Sequence, residues 1–387
     1  MNWEKFISDR FYQSSNNQGK HLGILSMIGM GVGCFAMLIS ISVMNGFETI
    51  VHGKLKGIEG DIRIIGDTNE KELSAINGIK DIMPFMERKG IIEANDLKRV
   101  ALIKAIDETK MENFYDINIQ GKIPKLGQIV IGHDLAYRLG KDIGDELYAY
   151  SPIDQAVGFS LPYKKRLEIS GIFSTKILDY DERLVFLSLE DGENIFKRKF
   201  EFDGFDIKIK GNNIDIVKAE LENKIGSEYS IYTWDEQNQS LVNAMKMERL
   251  GTIIVLCLIF LVAAFNLAAN LTLLSIQKMK EVGVIRAMGA PISSIYKIII
   301  LLGLKRAGIG LLFGFFVGII LILMQNQFNL IPLPSSVYFI DSLPMVIYMS
   351  DILIILTVSF LFILIASFSS GRKLALTKIN ESIQWVK

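Results

Sequence analysis

Four stretches of this chain are long, apolar and free of charged side chains: Leu22 to Phe47, Leu250 to Gln277, Ala307 to Asn329 and Ile352 to Ser370. A helix needs roughly 17 to 25 apolar residues to cross a bilayer core, and each stretch reaches that length. No soluble fold hides four such segments in one chain of this size, so four membrane helices set the frame. Composition agrees once it is read by compartment. Half the residues are hydrophobic and mean hydropathy is +0.32, although 42 basic and 42 acidic side chains leave a net charge of zero.

The charges outside the spans fix an expected orientation. Lys5, Arg10 and Lys20 precede the first span against Glu4 and Asp9. Between the second and third spans stand Lys278, Lys280, Arg286, Lys297, Lys305 and Arg306 against Glu281 alone. The tail carries Arg372, Lys373, Lys378 and Lys387 against Glu381, whereas Gln325 to Asp351 holds no Lys or Arg. Positive-inside reasoning puts both termini and the middle loop on the cytoplasmic side and the last loop outside. Glu48 to Arg249 carries 29 basic and 36 acidic side chains and follows its flanking spans outward. Lys305 and Arg306 are expected to snorkel to the headgroups.

The first span is read as a retained anchor, because it is longer than a signal-peptide h-region and ends in Val43-Met44-Asn45-Gly46-Phe47. Both cysteines, Cys34 and Cys257, lie in spans, so the outer domain has no disulfide framework. That domain reads as mixed α and β. Strands are expected at Asp61 to Ile65, Arg99 to Ile106, Phe202 to Lys210 and Tyr229 to Tyr232, with helices at Asn69 to Asn77 and Asn213 to Asn223. A second strand-rich stretch covers Gly127 to Ile131, Asp145 to Tyr150, Arg166 to Phe173 and Leu184 to Leu189, with a helix over His133 to Leu139. This nesting suggests two lobes, one inserted in the other. From Trp234 onward a stalk helix is expected to run straight into the second span.

Trp3, Phe6, Ile7 and Phe11 recur at helical spacing, which describes a short amphipathic helix lying on the membrane face or packing against the spans. Gly310, Gly314 and Gly318 form a stripe of small residues, and the first span holds Gly23, Gly29, Gly31 and Gly33; helix packing is the favoured role over direct substrate contact. The arrangements that would make an enzyme are missing from the sequence: it holds no GxxxxGK[ST] loop, no HExxH, no GxSxG, and three scattered histidines, His21, His52 and His133. Within the middle loop, Met279, Val282, Ile285 and Met288 share a helical face, and Gly289-Ala290-Pro291 supplies a stop and a restart. Spacing alone fits a helix docking into another protein and a plain connector equally.

SVMNGFE at Ser42 to Glu48, AAFNLAANLTLLSIQKMKE at Ala263 to Glu281, KEVGVIRAMGA at Lys280 to Ala290 and LPSSVYFIDSLP at Leu333 to Pro344 resemble the FtsX-like/MacB-type permease superfamily. More narrowly they resemble the LolC/LolE-type transmembrane subunits of the lipoprotein-releasing ABC transporter. The resemblance implies an α-helical membrane protein with four transmembrane helices and a large α+β periplasmic domain of two lobes inserted between helices 1 and 2, in a bacterial inner membrane. Its expected parts are a cytoplasmic amphipathic segment (1–21), helix 1 (22–47), the MacB-like periplasmic domain (48–249), helix 2 (250–277), a coupling helix and loop (278–300), helix 3 (301–328), a periplasmic loop (329–350), helix 4 (351–370) and a cytoplasmic tail (371–387). The membrane-proximal lobe would take about 48–108 and 201–233, the distal lobe about 109–200, and the stalk 234–249.

The resemblance further implies a non-catalytic subunit that holds no cofactor, ATP and Mg being bound by a partner. Its partners would be a cytoplasmic ABC ATPase dimer, a second transmembrane subunit, identical or related, a periplasmic lipoprotein carrier, lipoprotein substrates and membrane lipids, with no nucleic acid. Glu281, Val282, Ile285, Arg286, Met288 and Gly289 would couple to the ATPase. A loop bracketed by Pro152 and Pro162, with Val157 and Phe159 between, would meet the carrier. Helical phase proposes Met37, Ile41, Met44 and Phe47 on the first span, with Phe260, Ala264 and Leu267 on the second, as the lining of a cavity for the lipid anchor. The alternatives are a related permease that signals to cell-wall hydrolases and a MacB-like efflux permease.

Overall fold

The computed structural model describes residues 3–13, 17–66, 68–152, 163–197, 202–211, 213–226, 229–334, 340 and 342–376. In chain order the elements are α1 (Trp3–Gln13), α2 (Asn17–Glu59), β1 (Ile62–Ile65), α3 (Glu70–Ser74), β2 (Ile79–Ala94), β3 (Leu97–Ile106), α4 (Met111–Phe114), β4 (Asn118–Gly121), β5 (Gln128–Gly132) and α5 (His133–Leu139). There follow β6 (Glu146–Tyr150), β7 (Lys165–Ser174), α6 (Leu178–Arg183), β8 (Leu184–Ser188), α7 (Leu189–Phe196), β9 (Gly204–Ile209), α8 (Ile214–Ile225), β10 (Ser230–Thr233) and α9 (Trp234–Gln237). The chain closes with α10 (Gln239–Gln277), α11 (Met279–Ala287), α12 (Ile292–Phe328) and α13 (Met349–Leu376). Two compact units emerge: a helical one of Met1–Glu48, Ala244–Leu333 and Ser342–Lys387, and a mixed one of Thr49–Asn243 and Pro334–Asp341.

In the helical unit, α2, α10, α12 and α13 are long and apolar enough to cross a membrane. The helices outrun the apolar stretches, since α2 begins at Asn17 and α12 at Ile292, because polar flanks are adequate helix formers and nothing there breaks the backbone ladder. Met30, Cys34, Met37, Leu38, Phe260, Leu267, Leu271, Leu302, Ala307 and Ile355 share one core. α2 and α12 run parallel and touch backbone to backbone. A methyl group at Gly31 would stand 2.7 Å from the Gly310 carbonyl oxygen, and methyls at Gly310 and Gly314 would overlap the Met27 and Gly31 carbonyl oxygens. The glycine stripe is therefore what allows this crossing.

Among the described residues the mixed unit carries ten hydrogen-bonded strands. At one end the order is β10-β1-β9-β2, all neighbours antiparallel, the pattern of a split β-α-β sheet. Leu73 of α3 and Val217 and Leu221 of α8 pack there against Ile62, Ile64, Phe205 and Ile207. At the other end six strands close on themselves in the order β2-β3-β8-β5-β7-β6, with β6 returning to β2. The period of two along β3 sends Ala101, Ile103 and Ala105 into the core of this ring and Ile106 toward Phe85, Phe114 and Phe186 outside it.

Strands β2 and β4 are the ones the sequence reading passes over; along β2, Pro84, Gly90 and a charged run interrupt the alternation. Strand β2 pairs with β9 over Ile79–Phe85 and with β6 over Ile91–Glu93. Between those partners the Asp203 carboxylate accepts the Glu87 N–H at 2.8 Å and both Arg88 guanidinium arms at 2.8 and 2.9 Å, filling the gap in the ladder. A lobe boundary near residue 108 does not follow a break in hydrogen bonding, since β2 and β3 belong to the six-stranded ring. Their hairpin turns at Asn95 and Asp96, both at positive φ (49° and 63°), as a two-residue turn between strands requires.

Candidate functional site

The middle loop folds into α11, which Gly289, at φ +100°, and Pro291 separate from α12. Met279 and Val282 are buried and pack, with Ile285 half-buried beside them, against Ile295, Ile298 and Ile299 of α12 and Ile7 and Phe11 of α1. The face proposed for a partner is thus largely spent inward: Val282 is 2 % exposed, whereas Met288 is 82 % exposed. The outward surface includes Glu281, Val284, Met288 and Gly289, together with Lys280 and Ala287, and Arg286 is half-buried at its margin. Val284 is the contributor that sequence reasoning missed, although Glu281, Val284 and Met288 stand at i, i+3, i+7. Glu281 meets Lys278 at 3.1 Å.

Helix α1 packs on the same end of α12. Lys305 donates to Asp9 at 2.7 Å and lies over the Tyr12 ring, while Trp3 and Phe6 remain exposed. Arg306 does not snorkel. It is 4 % exposed and donates through Nη1 to Asn270 Oδ1 at 3.0 Å, and Asn270 in turn donates to Ser26 Oγ at 3.2 Å. The guanidinium is held inside the bundle by a polar chain across α12, α10 and α2, while its Nε is buried without a partner among the described residues.

Of the residues proposed to line a lipid cavity, Met37, Ile41, Phe260, Ala264 and Leu267 are buried in the common core, and Phe260 stacks on Phe362 at 6.1 Å. They fill space within this chain rather than enclose it. Met44 and Phe47 are half-buried. Helical phase could not separate these cases, because a membrane helix is apolar on its packed and its lipid-facing sides alike. An open apolar groove of about 400 Å³ lies elsewhere, along Ile28, Gly31 and Phe35 of α2 and Ile309, Phe313 and Val317 of α12.

Two of the sequence motifs meet. The Ser42 carbonyl accepts the Val346 N–H at 2.9 Å, and Asn45 Nδ2 donates to the Val346 carbonyl at 3.3 Å and to Asp351 at 2.6 Å. Gly46 lies against the Pro344 backbone so closely that a Cβ would overlap its carbonyl. Arg249 reaches Glu48 at 3.7 Å and Asp351 at 3.4 Å, tying α2, α10 and α13 together.

In the mixed unit, β6 and β7 pair antiparallel, so the segment proposed to meet a carrier joins the arms of a hairpin. Pro152 is exposed at its start; Val157, Phe159 and Pro162 lie outside the described residues. At the base of the hairpin, Lys164 bonds both oxygens of Glu93 on β2 at 2.7 Å and holds that carboxyl below its usual range, while burial and Glu93 push the Tyr150 phenol up. A buried charge network lies deeper: Lys104 donates to Asp206 at 2.6 Å, and Arg63 pairs with the same carboxylate at 2.6 Å. Burial is the largest single influence and pulls the Lys104 ammonium toward neutrality, but Asp206, Tyr115 and Glu87 together outweigh it and the net direction is up. Among the described residues no group of three or more His, Cys, Asp or Glu side chains is placed to hold a metal ion.

The FtsX-like permease C-terminal family matches residues 253–379. Over 410 aligned residues the chain is 24 % identical to the lipoprotein-releasing system transmembrane protein LolC of Neisseria meningitidis serogroup B (strain ATCC BAA-335 / MC58), covering 99 % of both chains. It is 27 % identical to LolC of Buchnera aphidicola subsp. Schizaphis graminum (strain Sg) over 91 % of this chain and 90 % of that one. It is 24 % identical to LolE of Haemophilus influenzae (strain ATCC 51907 / DSM 11121 / KW20 / Rd) over 95 % of each.

Proposed function

This chain is a LolC/LolE-type transmembrane subunit with an FtsX-like permease C-terminal region, and on that premise we propose that it extracts lipoproteins from the inner membrane and passes them to a periplasmic carrier. The observation that carries the reading is likeness along 99 % of both chains, through the large unit between the first two spans as well as the helices. The subunit is non-catalytic, and ATP hydrolysis belongs to a separate subunit of the ABC system. In our reading that partner is a cytoplasmic ATPase dimer holding ATP and Mg, and it docks on Glu281, Val284, Met288 and Gly289, the exposed side of α11. Both termini then face the cytoplasm, and the mixed unit, with a split-sheet lobe and a ring lobe sharing β2, faces the periplasm. A second transmembrane subunit, identical or related, completes the complex.

The physical task is set by the anchor. Acyl chains favour the bilayer by about 0.8 kcal/mol per buried CH2, so lifting out several chains is strongly uphill without ATP. We place the lipid path beside Met44 and Phe47, the half-buried members of the proposed lining, where a second subunit would supply the facing wall. The carrier would be met by the loop joining β6 and β7. The test is reconstitution with the ATPase and a lipoprotein in vesicles. ATP-dependent transfer of the lipoprotein to a soluble carrier is expected, and its absence in a complex that hydrolyses ATP would reject the reading.

A further inference from the structure

Strand β3 is accompanied by β2 from Leu97 onward, but β8 joins its other side only at Leu102. Among the described residues, Leu97 to Ala101 therefore form an open strand edge inside an otherwise closed ring. Such an edge offers unpaired N–H and C=O groups to an incoming strand. A cleft of about 540 Å³ runs beside it, with Arg99 and Val100 on the β3 wall and Asp179, Glu182 and Arg183 of α6 opposite. Val100 and Leu178 expose apolar side chains, 67 % and 62 %.

The charges in the cleft are not balanced in use. Asp179 pairs with Arg183 at 3.5 Å, Glu182 with Arg138 at 3.0 Å, and Glu59 accepts from Tyr180 Oη and, at 2.8 Å, from Asn238. Lys89 and Arg99 have no carboxylate among the described residues. Arg99 Nη1 donates only to the Lys98 carbonyl, at 3.2 Å, and its Nε is buried without a partner. The cleft thus combines an open backbone ladder with two unanswered cations.

We propose that it seats an extended acidic peptide, added as a strand to β3, and that this peptide is the segment of a lipoprotein substrate between its acylated N-terminus and its folded body. The proposal rests on the lipoprotein-release reading above. Strand addition recognises backbone, with side chains contributing at alternate positions, so it tolerates the varied sequences that different substrates bring. Five paired residues span about 17 Å, a length that an unstructured tether supplies without unfolding the body. One or two acidic side chains would answer Lys89 and Arg99.

The complex with its ATPase, in lipid nanodiscs, tests this in two ways. A photo-crosslinking amino acid at Val100 is expected to capture the lipoprotein, whereas the same group at the exposed Tyr137 is not. Capture of the carrier or of the second membrane subunit instead, in a preparation that still releases lipoprotein with ATP, overturns the proposal and leaves the release reading standing; loss of release itself strikes that reading. Binding is then measured with synthetic acylated peptides whose five-residue linkers carry two Glu or two Lys. The double variant Lys89→Glu, Arg99→Glu is expected to weaken the Glu probe at least about tenfold and not the Lys probe, a contrast that misfolding cannot produce. Equal effects on both probes, or none, refute it.

Discussion

Replacing Gly31 by Ala tests the backbone crossing of α2 and α12 directly. The added methyl would stand 2.7 Å from the Gly310 carbonyl oxygen, where ordinary contact begins at 3.4 Å, so the helices must part by about 0.7 Å. Neither side of that contact is a flexible side chain. A radial gap of about 0.5–1 Å forfeits a quarter to a half of each dispersion contact it opens, and here it opens the whole Gly310–Gly314 stripe. Overpacking of this kind costs about 1–3 kcal/mol. Gly308 is the internal control, since a Cβ there meets nothing within 4 Å. Both substitutions share the helix-propensity gain of Gly to Ala, about 1 kcal/mol, so it cancels in the comparison. Gly31→Ala is therefore expected to be about 1–3 kcal/mol less stable than Gly308→Ala in reversible SDS-titrated unfolding of the purified chain. Equal midpoints would refute the close-packing argument.

Four further outcomes are expected. Lys104→Met leaves Asp206 buried beside Arg63 alone and should cost on the order of 3 kcal/mol, read as a lowered denaturant midpoint for the mixed unit. Burial pushes the Tyr115 phenol up to about 12 from an unfolded value near 10. Because the folded pKa is the higher one, its contribution is whole below about pH 10 and drains away as pH rises to about 12; Tyr115→Phe should flatten that alkaline loss, and an unchanged profile would count against it. Val284→Glu or Met288→Glu should reduce co-purification of the ATPase in mild detergent while leaving the melting temperature in place, whereas Val282→Glu should lower the melting temperature, because Val282 is buried. Lys at Met44 or Phe47 should abolish lipoprotein release with assembly intact, and unimpaired release would reject that placement of the lipid path.

What the sequence determined by itself rests on signals that are local. Charge-free runs marked the four spans because the bilayer demands length and apolarity within a single segment. Alternation marked most strands, and the LolC/LolE-type motifs marked the family. The same locality explains the gaps. β2, long but interrupted by Pro84 and Gly90, becomes a strand through β9, β6 and the Asp203 carboxylate, none of them its neighbours in sequence. Arg306 lay in plain view at the edge of a charge-free run, yet only Asn270 and Ser26 turned it inward. On α11 the apolar face was legible but its use was not, since α1 and α12 occupy Val282 and leave Val284 and Met288 outside. Met37 and Phe260 were read as lining and prove to be core. Periodicity states which side chains share a face; which neighbour covers that face is fixed by packing among segments far apart in the chain, and only the tertiary structure decides it.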